Sequence, residues 1–198
     1  VRSRRQRQMC IRDSSYIKSF FKRSKLKNRI ATVRAGNVIG GGDYSKNRLV
    51  PDIIFAINNK KKINIRNPLY IRPWQHVLDP LMGYLMLAKK QYLKKINDEE
   101  HAWNFGPNNN NFKKVIDVVK YIGKLQKFNY QISNNEKFKE TKSLKLDSTK
   151  AKKKLKWFPK LSLPETLKFT IDWNRNIKKG LSAKFICEQQ FLMYINKK

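Results

Sequence analysis

Two dense segments carry the side chains best suited to handling an anionic ligand. They are Arg34-Ala35-Gly36-Asn37-Val38-Ile39-Gly40-Gly41-Gly42-Asp43 and Arg72-Pro73-Trp74-Gln75-His76-Val77-Leu78-Asp79. A guanidinium can fork two hydrogen bonds onto a diphosphate. Pro73 biases the residue before it toward extended backbone, so Arg72 is expected in a fixed position, with Trp74 walling the site. The commoner fate of an arginine is a surface salt bridge. Arg48 and Arg66 are further cations within reach of the same cleft in an α/β layout. A charge-assisted contact contributes about 1.5–3 kcal/mol. Two or three would hold a nucleotide diphosphate at micromolar affinity.

The other candidate chemistry is thinner. Gly40-Gly41-Gly42 follows a strand as a phosphate-cradling loop would, but it lacks GxGxxG spacing and the Lys-Ser/Thr of a P-loop. A flexible turn explains it equally well. Asn37 can point into the crevice at the carboxyl end of a sheet, where open α/β sheets bind ligands. It can equally be an asparagine tolerated in a left-handed turn, and spacing alone leaves the two even. His76 and His101 have no partner at zinc spacing; His76 reads as a structural histidine on a strand. Tyr194 and Lys198 form a Tyr-x-x-x-Lys pair at the chain end, with no strand around them to build a cofactor site. Cys10 and Cys187 show no metal or CxxC spacing, which fits a reducing, cytoplasmic setting.

The elements that must position these residues follow from pattern. Ile30 to Val33 reads as a short buried strand ending at the Gly36 turn. Val50, Ile53, Ile54 and Ile57 mark a helix with Pro51 near its start. Ile63 and Ile65 alternate as a strand broken at Asn67-Pro68. Asp79-Pro80 reads as a capped helix start, with Leu81, Tyr84, Leu85, Ala88 and Tyr92 as its apolar face. Ala102 to Phe105 is a strand closed by Gly106-Pro107. Asn111 is read as the cap of a helix facing inward through Val115, Val118, Val119 and Ile122. Tyr130 and Ile132 fit an edge strand, and 133–143 a polar loop. Asp147 caps a short lysine-rich helix, which stops at Leu155, Trp157 and Phe158. Ser162 and Glu165 have capping-box spacing. Residues 183–195 read as a helix packed on the body.

Composition bounds the rest. The chain has 198 residues, 40% apolar and 12% aromatic, enough for a real core. No apolar run reaches the length of a membrane span. Lys+Arg 45 against Asp+Glu 14 gives a net charge of +31. A basic nucleic-acid-binding module is one reading. The lysines are scattered through every expected helix, however, in a chain rich in Lys, Asn and Ile, and compositional bias is preferred. Residues 1–14 have denser arginine and no apolar period, and are expected to be a disordered or foreign leader.

With these residues in place, 15–195 resembles the C-terminal half or more of the CDP-glucose 4,6-dehydratase family, extended short-chain dehydrogenase/reductases. The resemblance rests on Arg34 to Asp43, Arg48-Leu49-Val50-Pro51-Asp52, Ile65-Arg66-Asn67-Pro68 and Arg72 to Leu78. It continues with Trp103-Asn104-Phe105-Gly106-Pro107, Leu146-Asp147, Lys150-Ala151, Leu155, Trp157, Pro159 and Trp173. The arginine-proline-tryptophan-glutamine-histidine block is specific within the superfamily; the leader matches nothing in the family.

The resemblance implies an α/β fold: the C-terminal part of a Rossmann-type parallel sheet plus a smaller α/β substrate-binding lobe. It places the sheet remnant and substrate loop at 15–60 and the lobe with its C-terminal helices at 61–198. It implies a homodimeric NAD enzyme that takes hydride from C4 of CDP-glucose, loses water across C5 and C6, and returns the hydride to C6. The 4-keto-6-deoxy product would feed bacterial surface polysaccharide. It assigns Asn37, Arg48, Leu49, Pro51, Arg66, Arg72 and Asn108 to the substrate, with Arg72 as diphosphate clamp. Ala35 and Gly36 fall near the nicotinamide; no metal is implied. The family's dinucleotide loop and catalytic Tyr and Lys are not found, so the chain is expected to begin past them and to be inactive and poorly stable alone. A UDP- or GDP-sugar epimerase or dehydratase is the nearest alternative.

Overall fold

In a computed structural model of the chain, the described residues are 11, 15–21, 30–93, 101–133 and 141–197. The expected leader (apart from Ile11), the basic run Lys22 to Lys27, most of 133–143 and Lys198 lie outside them. Residues 15–21 are helical (α1). There follow β1 (Thr32–Ala35), β2 (Asn37–Ile39), α2 (Leu49–Asn58), β3 (Ile63–Arg66), β4 (Ile71–His76) and α3 (Leu78–Tyr92). Then come β5 (Ala102–Phe105), β6 (Phe112–Lys114), α4 (Val115–Leu125), β7 (Tyr130–Ser133), α5 (Leu163–Lys178) and α6 (Ala183–Ile195).

Pairing is mainly parallel. β1 runs parallel to β5, β2 to β4, and β3 to β7, while β6 adds to β4 antiparallel. Parallel partners need long crossovers, and here those crossovers carry the helices. The result is the expected α/β architecture of Rossmann type. Gly36 is the joint between β1 and β2. A Cβ there would stand 2.5 Å from the Pro73 carbonyl oxygen. Only glycine lets the chain pass so close to β4 while it leaves one strand partner for another.

Two apolar clusters hold the fold. One joins Ile53 and Ile54 of α2, Ile65, Trp74, the inner face of α4 and the Leu163-Leu167-Ile171 stripe of α5. The second gathers Leu87, Trp103, Phe105, Ala151, Leu155 and Trp157. Gly83 is the contact point of α3 in the second, because a Cβ there would collide with the Phe105 ring.

Several sequence expectations need correction. The first strand begins at Thr32 and is half-buried at most, with Val33 38% exposed. Among the described residues β1 pairs only with β5, which leaves its other edge open. The helix at 78–92 forms, but Leu81, Leu85 and Tyr92 are exposed; Asp79, Pro80, Gly83 and Leu87 face inward. Asp79 is not the cap. The helix starts at Leu78, and the fully buried Asp79 carboxylate turns away to accept from Lys160 N–H at 2.8 Å and Tyr194 O–H at 3.0 Å. Burial raises its pKa above the usual carboxylate value although these bonds oppose the shift.

Asn111 also serves another helix. Its Oδ1 accepts from Leu163 N–H at 2.9 Å and its Nδ2 donates to the Leu161 carbonyl at 3.1 Å, so it dresses the start of α5. At α4 the Asp117 carboxylate accepts from Lys114 N–H instead. The Ser162 and Glu165 capping box forms as read: Ser162 N–H donates to Glu165 at 2.9 Å and Glu165 N–H to Ser162 Oγ at 3.4 Å. Lys197 and Ser162 hold the Glu165 carboxyl down to about 2. Asp147 accepts from Thr149 N–H at 2.8 Å, ahead of a π-helical turn at Ala151–Leu155. The tail helix buries Ile186, Gln190 and Tyr194 against the body, and its Cys187 Sγ accepts from the Trp173 indole N–H; Phe185, Phe191 and Met193 are exposed. Among the described residues no helix is long and apolar enough to cross a membrane.

Candidate functional site

The joint at Gly36 opens a cleft of about 540 Å³ where β2, β3, β4 and the start of α2 converge. That size suits a small-molecule site. β2 contributes Asn37, whose register partner on β4 is Trp74. The entrance of α2 contributes Arg48, Leu49 and Pro51; β3 contributes Arg66; β4 contributes Arg72. Trp74 forms part of the wall and is fixed there, its indole N–H donating to the Lys113 carbonyl at 3.1 Å.

Thus Asn37, Arg48, Leu49, Pro51, Arg66 and Arg72 share one hollow, together with Gly36. Ala35 and Asn108 do not line it. Ala35 ends β1 opposite Phe105, and Asn108 Nδ2 donates to the Pro159 carbonyl at 3.3 Å. Tyr194 is also elsewhere, bonded to Asp79.

The cations are not equivalent. Arg72 is half-buried and fixed: its Nη1 donates to the Ile71 carbonyl at 3.0 Å and the Thr141 carbonyl at 2.9 Å, and its guanidinium lies 5.2 Å from the Tyr70 ring centre. Arg48 is exposed and meets the Asp43 carboxylate at 3.2 Å. Arg66 is exposed at the rim.

Two carboxylates that have no assigned role among the expected site residues, Asp43 and Asp52, also line the cleft. Burial pushes the Asp43 carboxyl up, but hydrogen bonds from Ser45 and the Arg48 charge outweigh it and hold the pKa below normal. Burial raises Asp52 despite a hydrogen bond from the Asn47 backbone and the Arg66 charge. Their spacing was the available signal: Asp43 lies five residues before Arg48 and Asp52 four after it, so a turn and a helix start bring all three to one mouth. Tyr70, Asn64 and Asn67, also absent from the expected site, line the β3–β4 side of the cleft. Among the described residues no group of His, Cys, Asp or Glu is arranged to hold a metal.

What the arrangement can do is bind. Three guanidinium groups line a hollow together with an asparagine amide and an indole. This suits an anionic ligand with a flat or hydroxylated moiety. Among the described residues no nucleophile is paired with a base there.

No protein-family model matches the chain. It is 40% identical over 182 residues to the CDP-glucose 4,6-dehydratase of Salmonella typhimurium (strain LT2). The alignment covers 89% of this chain and 50% of that enzyme, so the chain spans about half the length of the curated relative it matches. The structure of dTDP-glucose 4,6-dehydratase from Bacillus anthracis in complex with NAD is similar in fold, with a TM-score of 0.68 at 20% identity. That match covers 82% of this chain and 49% of that one. UDP-glucose 4-epimerase of Thermotoga maritima with UDP-glucose gives a TM-score of 0.63 at 25% identity, over 82% of this chain and 50% of that one. None of these relatives lends support to a nucleic-acid-binding module.

Proposed function

We infer that the chain, which over its aligned residues belongs to the family of CDP-glucose 4,6-dehydratase, forms the nucleotide-sugar-binding part of such an enzyme, with CDP-glucose as substrate. The observation that carries the reading is the convergence of Arg48, Arg66 and Arg72 with Asn37 on one cleft. In this reading Arg66 and Arg72 face the diphosphate. Arg48, Leu49 and Pro51 close over the nucleotide, and Asn37 meets the sugar. Asn108, outside the lining, is the weakest of the assigned positions. The whole protein would be a homodimer making a 4-keto-6-deoxy sugar for surface polysaccharide.

The reading brings NAD with it, which would supply hydride acceptance and return. The residues present fit only the flank of such a site. The missing Cβ of Gly36 is already required by the Pro73 carbonyl, and the described residues include no dinucleotide-binding glycine loop. Ala35 and Gly36 are assigned to that flank, and the chain's own contribution is substrate binding.

A panel of variants tests the assignment. Arg66→Ala and Arg72→Ala should each weaken CDP binding by about tenfold or more, the loss of about 1.4 kcal/mol, measured by calorimetry. Lys179→Ala removes a distant exposed charge and should change affinity less than twofold or so. Equal losses in all three would mean diffuse attraction to a basic chain. Because Arg72 also ties β4 to Thr141, its variant is read only where its melting temperature stays near native.

A further inference from the structure

Gly41 and Gly42 of the glycine triplet rest on a tryptophan from a distant helix, whereas Gly40 lies against Val77. Trp173 of α5 is 7% exposed. A Cβ on Gly41 would fall inside its indole, and one on Gly42 would touch its Cη2 and Cζ2 at 3.5 Å. Gly42 has φ of +77°, a backbone state that side chains rarely adopt. The indole N–H donates to Cys187 Sγ of α6 at 3.4 Å, which fixes the ring from behind. Immediately after Gly42, Asp43 accepts from Ser45 N–H at 3.0 Å and from Arg48 Nη1 at 3.2 Å. Arg48 in turn leads into α2 at the cleft mouth.

We propose that Trp173 is a positioning residue for the nucleotide-diphosphate cleft: its indole is the floor that sets the Gly40–Asp43 turn, and through Asp43 it places Arg48. This deepens the function proposed above and rests on it for the ligand. Trp173 does not itself line the cleft, so it acts through the loop. Gly41 and Gly42 are then explained by close approach to an aromatic face, and Gly40 by close approach to Val77. Phosphate cradling is not needed to account for them.

The test uses the full chain and two independent readouts. The first is trypsin cleavage after Lys46 and Arg48, followed by mass spectrometry, which reports how often the loop opens. The second is CDP affinity. Trp173→Phe removes the part of the ring under Gly42; it should speed cleavage at these two sites by about tenfold and weaken CDP binding by a similar factor, while cleavage at Lys179 stays at the native rate.

Gly41→Ala should do the same in the native background. In a Trp173→Ala background the added methyl has room, so Gly41→Ala should have little further effect. That loss of effect is a coupling that general destabilisation does not produce. Native loop cleavage and native affinity in a folded Trp173→Phe protein would overturn the proposal, as would full additivity of Gly41→Ala with Trp173→Ala. If the native chain fails to bind CDP, the ligand reading falls, and the proteolysis still decides whether Trp173 sets the loop.

Discussion

Trp157→Ala should cost about 3–5 kcal/mol of stability, the usual range for emptying a buried aromatic site. Trp157 is 2% exposed and stands at the centre of the second core. Its ring meets Phe105 edge-on with centres 5.0 Å apart, and its N–H donates to the Asp79 carbonyl at 2.9 Å. Truncation therefore leaves a cavity and removes a buried hydrogen bond to the Asp79 carbonyl. Against a total of roughly 5–15 kcal/mol for a native domain, that loss is a large fraction. Phe158, the next residue, is 58% exposed. Phe158→Ala should stay within about 0.5 kcal/mol of native. Urea melts of the two variants make the comparison. Equal midpoints would mean that the core is not organised around Trp157 as described.

Acid should weaken the fold through His76. Its ring is 2% exposed, and Nδ1 accepts from Leu78 N–H at 3.3 Å at the start of α3. Nε2 is buried with no protein partner. Protonating Nδ1 would break the bond to Leu78 and bury a charge. Burial accordingly lowers the pKa from 6.5 to about 4.

The sign follows from linkage. Between those values the unfolded chain binds the extra proton and the folded one does not, so stability falls as pH drops from 6.5 and the loss is complete near 4. The loss reaches up to about 3 kcal/mol. Asp79, with a raised pKa, works in the opposite direction: its favourable share is present at low pH and fades as pH rises. His76→Gln keeps Asp79 and removes only the histidine contribution. Stability measured at pH 7, 5.5 and 4 should fall less steeply in His76→Gln than in the native chain. Parallel curves would place the acid sensitivity elsewhere.

Much of the local structure was legible because its causes are local. The Ser162 and Glu165 box, the Gly106-Pro107 stop and the Asp147 turn each need only a few neighbouring residues. The facing of α3 was not legible. Leu81, Leu85 and Tyr92 have the helical period of a buried stripe, yet α3 packs through Pro80, Gly83 and Leu87. A hydrophobic pattern gives no weight to a glycine chosen so that Phe105 can approach. Asn111 and Asp79 were misread for a related reason. Each looked like the cap of its own helix, but Asn111 bonds Leu161 and Leu163, and Asp79 bonds Lys160 and Tyr194, all far away in the chain. In the cleft, the arginines and Asn37 could be picked out beside prolines and glycines. The Trp173–Gly41 contact joins residues with no sequence relation, and only the fold reveals it.

The cleft under Arg48, Arg66 and Arg72 is proposed to recognise a nucleoside diphosphate. The most direct measurement is calorimetric titration of the native chain with CDP and, separately, with CMP at the same ionic strength. One CDP site per chain with a micromolar dissociation constant is expected, with CMP weaker by about tenfold or more, since in the proposed pose only a diphosphate spans Arg66 and Arg72. Equal, weak binding of CDP and CMP, unaffected by Arg66→Ala and Arg72→Ala, would contradict it.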